Sequence, residues 1–171
     1  MIYEPREDTF LLKEQIEGLE LKGKKALEVG TGSGIIAEKM NEKGAQVTAS
    51  DINEEALEDL PEEVEAVKSN LFENIKGSFD LIVFNPPYLP GEKRESEFEG
   101  SETWLGGKKG VETTENFLTE STDYLNSGGE VFVILSSLAS IKALIDDFNL
   151  EIVGSRELWF ETLYVARYCV E

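Results

Sequence analysis

The sequence predicts an α/β fold, in which a mostly parallel sheet of seven strands is doubly wound, with helices on both of its faces. The first observation that predicts it is the alternation of short apolar segments with longer amphipathic ones. The second is a glycine-rich turn at residues 30–34, which follows an apolar strand and opens a helix. Ligands bind beyond the carboxyl ends of the strands in such sheets, so this turn indicates where a site should form.

The individual elements follow from this alternation. Amphipathic segments predict helices at 6–19, 35–44, 54–60, 111–125 and 138–148. Apolar segments predict strands at 24–34, where the strand runs into the glycine turn, at 45–53, 64–70, 79–84 and 130–137, and two more within 150–170. Residues 89–110 are polar and rich in glycine, which predicts a long loop. A loop of that length in a compact domain is usually functional or disordered.

Composition limits the classes of function. The chain has 171 residues, enough for one domain, and its 16 basic and 35 acidic residues give a net charge of −19. A field of that sign repels nucleic-acid phosphates, so direct binding to DNA or RNA is disfavoured. The absence of histidine excludes histidine-dependent triads, general bases and metal sites. A single cysteine, Cys169, and the lack of a signal peptide or membrane-spanning segment predict a cytoplasmic protein.

The glycine turn has the spacing G-x-G-x-G, formed by Gly30, Gly32 and Gly34. A dinucleotide-binding turn has the spacing G-x-G-x-x-G, so this pattern argues against an NAD-dependent oxidoreductase. Glycines let the backbone approach a ligand closely, and the helix start that follows supplies free N–H groups. The pattern alone leaves a second interpretation open, which is a tight turn that binds nothing.

Two acidic residues stand near the glycine turn. Asp51 ends the second strand, where a carboxylate can accept hydrogen bonds from both hydroxyls of a ribose. An acid at a strand end can also cap the next helix, but Asn53 is the better candidate for that role. Glu28 lies inside the first apolar strand, where a carboxylate is costly unless it is paired or hydrogen-bonded. We therefore expect Glu28 and Asp51 to belong to a site.

The fourth strand ends in Asn85, Pro86, Pro87 and Tyr88, at the same edge of the sheet as the glycine turn. Prolines end a strand because they cannot donate a ladder hydrogen bond. The Asn85 side chain and the Pro86 carbonyl also offer two oxygen acceptors, and Tyr88 offers a flat ring. Together they could hold a planar –NH₂ group, with its hydrogens on the oxygens and its plane against the ring. No nucleophilic side chain is evident, since Cys169 has no histidine to activate it.

These motifs resemble those of class I S-adenosylmethionine-dependent methyltransferases that act on amino groups. The resemblance rests on LEVGTGSG, then DIN, then NPPY. Three further segments are similar to the short HemK-like glutamine methyltransferases of archaea and eukaryotes, namely YEPREDTFLL, TWLGGKKGVE and ETLYVARY. The resemblance covers nearly the whole chain and implies a Rossmann-like sheet. It also implies methylation, at N5, of the glutamine in the Gly-Gly-Gln motif of class I translation release factors.

The resemblance implies roles for the matching residues. The residues that would bind S-adenosyl-L-methionine are Thr9, Glu28, Gly30, Gly32, Asp51, Asn70, Leu71 and Asn85. The residues that would bind the target amide are Asn85, Pro86, Pro87 and Tyr88, and the catalytic ones among them would be Asn85, Pro86 and Tyr88. Asn70 departs from the family, which commonly has aspartate there, although its side-chain oxygen can still accept a hydrogen bond from the adenine amino group.

The resemblance also implies a division of the single methyltransferase domain, 1–171. Residues 1–20 would form an N-terminal helix and cofactor-covering segment, 24–88 the cofactor-binding half, 89–110 a substrate loop and 111–171 the C-terminal half. Trp104, in the loop, is interpreted either as an exposed anchor or as a buried tether. Members of this family commonly form a heterodimer with a small zinc-binding activator protein, so such a partner is implied beside the release-factor substrate.

Three alternatives to glutamine methylation stay open. The N6 amino group of adenine is also a planar –NH₂, although the charge of −19 argues against a nucleic-acid substrate. A protein lysine could accept the methyl group, but a flexible ammonium must first lose a proton and gains less from a planar clamp. The chain could instead be a non-catalytic cofactor-binding subunit, which the intact NPPY motif argues against.

Overall fold

The computed structural model describes residues 5–87 and 111–170. Its α-helices are α1 (Glu7–Glu17), α2 (Ile35–Glu42), α3 (Glu112–Ser121) and α4 (Lys142–Asp147). Its strands are β1 (Lys25–Val29), β2 (Gln46–Asp51), β3 (Glu65–Lys68), β4 (Phe79–Phe84), β5 (Leu125–Ser136), β6 (Glu151–Glu157) and β7 (Thr162–Cys169). The predicted loop at 89–110, with Trp104, lies outside the described residues.

The strands form one sheet in the order β3-β2-β1-β4-β5-β7-β6. The strands from β3 to β5 pair in parallel, and β7 is antiparallel to both β5 and β6. The strand order reverses between β1 and β4, which creates a crevice at their carboxyl ends. The prediction of a doubly wound, mostly parallel sheet of seven strands is therefore confirmed.

Two apolar clusters cover the two faces of the sheet. One joins α1 and α2 to the sheet, and the other joins α3 and α4 to the opposite face. The residues of β4 alternate between them, with Leu81 and Val83 in the first cluster and Ile82 and Phe84 in the second. This burial on both sides explains why β4 is almost continuously apolar. None of the helices in the described part of the chain is long and apolar enough to cross a membrane.

The prediction for the start of β5 was wrong. The strand begins at Leu125 rather than at residue 130, so residues 126–129, which lie between the predicted helix and the predicted strand, belong to the strand. Asn126 explains the difference, because its Nδ2 donates a hydrogen bond to Oδ1 of Asp80 on the neighbouring strand, at 2.9 Å. The pairing of β4 with β5 shifts register between Phe79, opposite Leu125, and Leu81, opposite Glu130, so the extra residues bulge from β5.

Two predicted helices are shorter than expected. The segment at 54–60 forms only one short 3₁₀ helix, Glu54–Leu57. The segment at 138–148 is helical only in α4, because residues 138–141 form tight turns. In one of these turns the N–H of Ala139 donates to the carbonyl of Ser136 at 3.1 Å. The hydroxyl of Ser136 also accepts from the N–H of Leu138 at 3.1 Å, and local bonds of this kind favour turns over a continued helix.

Helix α1 begins at the carboxyl edge of the sheet. Arg156, near the end of β6, contacts the carboxylates of Glu7 and Glu14, each at 2.6 Å. The strand register aligns Arg156 with Leu163 of β7, and Leu163 with Ser136, the last residue of β5. The first turn of α1 therefore lies at the edge where β5 ends, which is also the edge of the glycine turn.

Candidate active site

The turn between β1 and α2 has a left-handed backbone at each of its glycines. Gly30, Gly32 and Gly34 have φ angles of 65°, 51° and 76°. Residues with a side chain rarely adopt such angles. The N–H of Thr31 donates to the carbonyl of Ser50 at 2.9 Å, which ties the turn to β2. The turn is therefore held in one shape at the crevice between the strand ends.

Glu28 connects β1, the glycine turn and α2. It is only 5% exposed, and its Oε2 accepts hydrogen bonds from Oγ1 of Thr31 at 2.7 Å and from the N–H of Ala37 at 2.8 Å. Burial raises the pKa of the Glu28 carboxyl to about 8; these two hydrogen bonds lower it, and the negative charge of Asp51 raises it further. The buried carboxyl is therefore easier to protonate than an exposed glutamate. The sequence analysis missed Thr31, although a hydroxyl between two glycines was a usable signal.

The buried Glu28 carboxyl should make the stability of the fold depend on pH. Its pKa is 4.5 when it is not perturbed, so between pH 4.5 and about 8 the folded chain binds more protons than the unfolded chain. The contribution of Glu28 to the free energy of unfolding is therefore fully present below pH 4.5, and it is lost as the pH rises through the folded pKa. The Glu28→Gln variant keeps an oxygen acceptor and cannot ionise, so we expect its free energy of unfolding not to show this fall with pH. Urea unfolding of the wild type and the variant across this pH range measures the difference. The same pH dependence in both proteins would contradict the prediction.

Asp51 stands at the end of β2, beside the glycine turn. Its Oδ2 accepts a hydrogen bond from the N–H of Gly32, and its Oδ1 accepts one from the N–H of Asn53, both at 2.9 Å. The side chain of Asn53 accepts in turn from the N–H of Glu55 at 3.2 Å, so Asn53 caps the short helix as expected. Each carboxylate oxygen of Asp51 keeps a free lone pair, which can accept from a ligand hydroxyl.

The end of β3 lies next to Asp51. The N–H of Ser69 donates to the Asp51 carbonyl at 3.0 Å, and Asn70 and Leu71 follow. Leu71 has a left-handed φ of 47°, which the hydroxyl of Ser69 supports by donating to its carbonyl at 2.9 Å. Backbone strain of this kind is often found at ligand sites. Asn70 is exposed and donates from Nδ2 to Glu73 at 3.2 Å, so its Oδ1 remains available as an acceptor.

Asn85 carries a buried hydrogen-bond acceptor that has no partner. Within residues 5–87 and 111–170, its Oδ1 is the only buried side-chain oxygen or nitrogen without a hydrogen bond. Asn85 follows β4 directly, with Pro86 buried and Pro87 half-buried behind it, and Tyr88 lies outside the described residues. An unsatisfied buried acceptor costs about 1–3 kcal/mol. Such a group calls for an explanation, and a donor supplied by a bound substrate provides one.

Thr9 lies in the first turn of α1, at the same edge of the sheet. It is 6% exposed, and its N–H and Oγ1 both donate to Oδ1 of Asp8, at 2.6 and 3.3 Å. These bonds connect it to its own helix, so its contact with a cofactor stays a prediction. The sequence analysis did not single out Asp8, which is only 1% exposed. An acid in the first turn of a helix was the available signal.

A side chain at Gly30 would be crowded. A Cβ there would lie 3.2 Å from Cε2 of Phe84, so this buried ring, which packs against Phe117 with centroids 4.6 Å apart, would have to shift by a few tenths of an ångström. We expect Gly30→Ala to lower the free energy of unfolding by about 1–3 kcal/mol more than Gly23→Ala does. Gly23 is the matched control, because its φ is 74° and an added Cβ would meet no atom within 4 Å. Chemical denaturation measures the free energy of unfolding of both variants. Equal decreases in the two variants would show that the contact with Phe84 does not destabilise Gly30→Ala.

The groups at this edge suit an adenosyl cofactor and a planar amide. The glycine turn allows close backbone approach, Asp51 offers acceptors for ribose hydroxyls, and Asn85 and Pro86 offer acceptors for an –NH₂ group. Across the residues that the structure describes, no three acidic or cysteine side chains come together as metal ligands. The fold and this set of groups are those of a class I methyltransferase.

Comparison with known proteins agrees with this class. Residues 8–100 match the family described as Methyltransferase small domain. A protein of Methanocaldococcus jannaschii, named provisionally as a protein N5-glutamine methyltransferase, is 37% identical over 96% of this chain and 89% of its own length. Methyltransferase HEMK2 of Homo sapiens is 33% identical over 78% of this chain and 71% of its own length. The chain therefore belongs to the HemK-like methyltransferases of the Methyltransferase small domain family.

Solved structures agree on the fold. The E. cuniculi Mtq2-Trm112 complex, described as methylating the translation termination factor eRF1, has a chain with a TM-score of 0.82 and 27% identity, and the match covers 99% of both chains. A T. thermophilus 16S rRNA methyltransferase bound to AdoMet and guanosine has a TM-score of 0.71 over 98% of this chain and 44% of its own, at 19% identity, which shows the fold alone. The predicted Rossmann-like fold and methyltransferase class are confirmed.

Proposed function

We propose that this protein transfers a methyl group from S-adenosyl-L-methionine to the side-chain amide nitrogen of a glutamine. The substrate is the Gly-Gly-Gln motif of a class I translation release factor. The observation that carries the proposal is the buried, unpartnered Oδ1 of Asn85. Names of relatives support the substrate: one from Schizosaccharomyces pombe is the catalytic subunit of an eRF1 methyltransferase, 26% identical over 97% of this chain and 88% of its own length.

A primary amide suits Asn85 and Pro86 for a chemical reason. Its –NH₂ group has two N–H bonds in one plane, and Oδ1 of Asn85 and the Pro86 carbonyl are two acceptors at adjacent positions of the chain. Proline has no N–H of its own that would compete for the substrate. Pro87 follows beyond the end of β4, and Tyr88 completes the proposed clamp with its ring. A lysine ammonium has three N–H bonds and a positive charge, so it fits this planar arrangement less well.

The proposed cofactor residues surround the crevice between the strand ends. Asp51 accepts hydrogen bonds from the ribose hydroxyls, and Asn70 and Leu71 flank the adenine. The backbone at Gly30 and Gly32 allows the cofactor to approach. Glu28 shapes this turn through its buried hydrogen bonds, and Thr9 approaches the methionine part from α1. Residues 1–20 then cover the cofactor, as the family resemblance implies.

The protein contributes position and electrostatics to the reaction. When bound, S-adenosyl-L-methionine supplies a methyl group on a sulfonium, from which a neutral thioether departs readily. An amide nitrogen is a poor nucleophile, because its lone pair is delocalised into the carbonyl. Asn85 and Pro86 hold the nitrogen so that its lone pair points at the methyl carbon. As the methyl carbon is transferred and the neutral thioether leaves, the oxygen acceptors of Asn85 and Pro86 would stabilise the positive charge on nitrogen, and its proton would leave to water.

We further propose that the protein works in the cytoplasm with a small partner. The chain that resembles it in the E. cuniculi complex is paired with Trm112. A partner of that kind, with bound zinc as the family resemblance implies, would form a heterodimer with this chain. Co-expression of the two proteins followed by size-exclusion chromatography tests this, and separate elution would contradict it.

A labelling experiment tests the substrate. The purified chain, with and without a Trm112-type protein, is incubated with methyl-labelled S-adenosyl-L-methionine and an intact release factor. Parallel reactions contain a release factor whose Gly-Gly-Gln glutamine is replaced by alanine, a lysine-rich histone, DNA and transfer RNA. Label on the intact release factor that disappears with the glutamine supports the proposal. Label on nucleic acid or on lysine would overturn it.

A further inference from the structure

The turn between β6 and β7 carries two aromatic side chains into solvent. Trp159 is 98% exposed and Phe160 is 65% exposed. Leaving a large apolar side chain in water forgoes about 1.5–3 kcal/mol of burial free energy. Neighbouring exposed aromatic residues therefore mark an interaction surface more often than a structural one. Nothing in the reaction at Asn85 uses this aromatic pair.

The aromatic pair is presented by a firmly bonded turn. The N–H of Leu158 donates to the carbonyl of Glu161 at 2.7 Å, and the carboxylate of Glu161 accepts from the hydroxyl of Ser136 at 2.6 Å. Ser137 and Thr162 exchange two more hydrogen bonds, at 2.8 and 2.9 Å. The aromatic rings are therefore exposed on a turn that hydrogen bonds hold in place. A rigid support lowers the entropy cost of binding through these side chains.

The turn faces the same side of the molecule as Asn85, but at a distance from it. Phe84 lies level with Val133 of β5, and β5 continues to Ser136, which lies level with Leu163 of β7. The turn is two strands away from Asn85 and further along the strand direction. Strand spacings of about 4.8 Å and residue rises of about 3.3 Å place it about 20 Å from Asn85. Only a macromolecule held at Asn85 can reach the turn as well.

The charges around the turn indicate the chemistry of a partner. Glu157 and Glu161 flank the aromatic pair. Arg156, three residues before Trp159 in the chain, is already bound by Glu7 and Glu14 at 2.6 Å each. With a net charge of −19 on the whole chain, the surface attracts a basic partner and repels an acidic one. Aromatic faces also attract lysine and arginine side chains.

We propose that Trp159 and Phe160 form a docking anchor for the body of the protein substrate, at a basic surface with an apolar recess. The inference rests on the proposed function, because it assigns the anchor to the protein that carries the methylated glutamine. Binding at a remote point holds the substrate while Asn85 receives the amide. The anchor therefore acts on substrate affinity, and the chemistry at Asn85 is independent of it.

Steady-state kinetics of a double variant tests the anchor. Trp159→Ala combined with Phe160→Ala, in the full chain with its partner protein where activity requires one, is assayed on an intact release factor. We expect KM for the release factor to rise about tenfold, with kcat and cofactor affinity unchanged. Because both side chains are exposed, their replacement should leave the fold intact. Ile152→Ala is the matched control, because Ile152 is an apolar residue of β6, 40% exposed and remote from the turn, and its KM should not change.

The outcomes separate the anchor from the proposed function. A wild-type protein that methylates no release factor overturns both. A wild-type protein that methylates it, together with an unchanged KM in the double variant, overturns the anchor alone. If the double variant instead loses co-elution with the small partner protein, or converts a dimer to a monomer, the occupant assigned to the turn is wrong.

Discussion

Asn85→Ala should abolish methyl transfer without weakening the fold. The side chain makes no hydrogen bond to any described residue, and its buried Oδ1 has no partner, so its removal costs the free protein no hydrogen bond. Removing the unsatisfied acceptor also removes its free-energy cost of about 1–3 kcal/mol, which offsets the packing lost with the side chain. In the reaction the same oxygen would hold the substrate amide. We expect kcat to fall by at least about a hundredfold, with cofactor affinity preserved.

Asn126→Ala is the matched control for this prediction. Asn126 accepts a hydrogen bond from Oγ of Ser78 at 2.6 Å and donates one to Asp80 at 2.9 Å, at the opposite edge of the sheet from Asn85. Its removal should lower the free energy of unfolding and leave kcat unchanged. Single-turnover methylation and thermal unfolding of both variants give the comparison. Normal turnover by Asn85→Ala, on any substrate that the wild type accepts, would show that the site is assigned wrongly.

The parts of the fold that were predicted correctly depend on local signals. The β4 strand occupies the predicted residues 79–84, because a buried apolar run ends at two prolines that cannot donate to a ladder. The start of β5 could not be predicted in this way. Gly128 and Gly129 indicate a turn locally, but Asn126 is held in the strand by Asp80, which is 46 residues away in the chain. Contacts across the sheet decide that boundary, and a local pattern does not contain them.

The same distinction applies to the candidate site. Asp51 and Asn85 could be placed at one edge because both follow predicted parallel strands. The bonds between elements could not be predicted: Glu28 reaches Ala37 in α2, and Asp51 reaches Gly32 in the turn. The exposure of Trp159 was also unpredictable, because a tryptophan in a strand-rich segment is usually buried at least in part.

Asp51→Ala should reduce cofactor affinity more than any other single change at the site. The variant loses the proposed acceptors for the ribose hydroxyls and also the two hydrogen bonds, from Gly32 and Asn53, that hold the turn beside them. Hydrogen bonds to a charged group contribute about 1.5–3 kcal/mol each. We therefore expect the Kd for S-adenosyl-L-methionine to rise about a hundredfold. Isothermal titration of the two proteins with this ligand measures the change.

Asp80→Ala separates cofactor binding from a general loss of stability. Asp80 also accepts two hydrogen bonds, from the N–H of Lys25 at 2.8 Å and from Asn126 at 2.9 Å, but at the other edge of the sheet. Both variants should lose stability, and only Asp51→Ala should lose cofactor affinity. Asp51→Ala should also lower the pKa of Glu28, because the negative charge of Asp51 helps to raise it. The pH at which the Glu28 contribution to stability disappears should therefore fall in this variant, and an unchanged pH would mean that the two carboxyl groups do not interact.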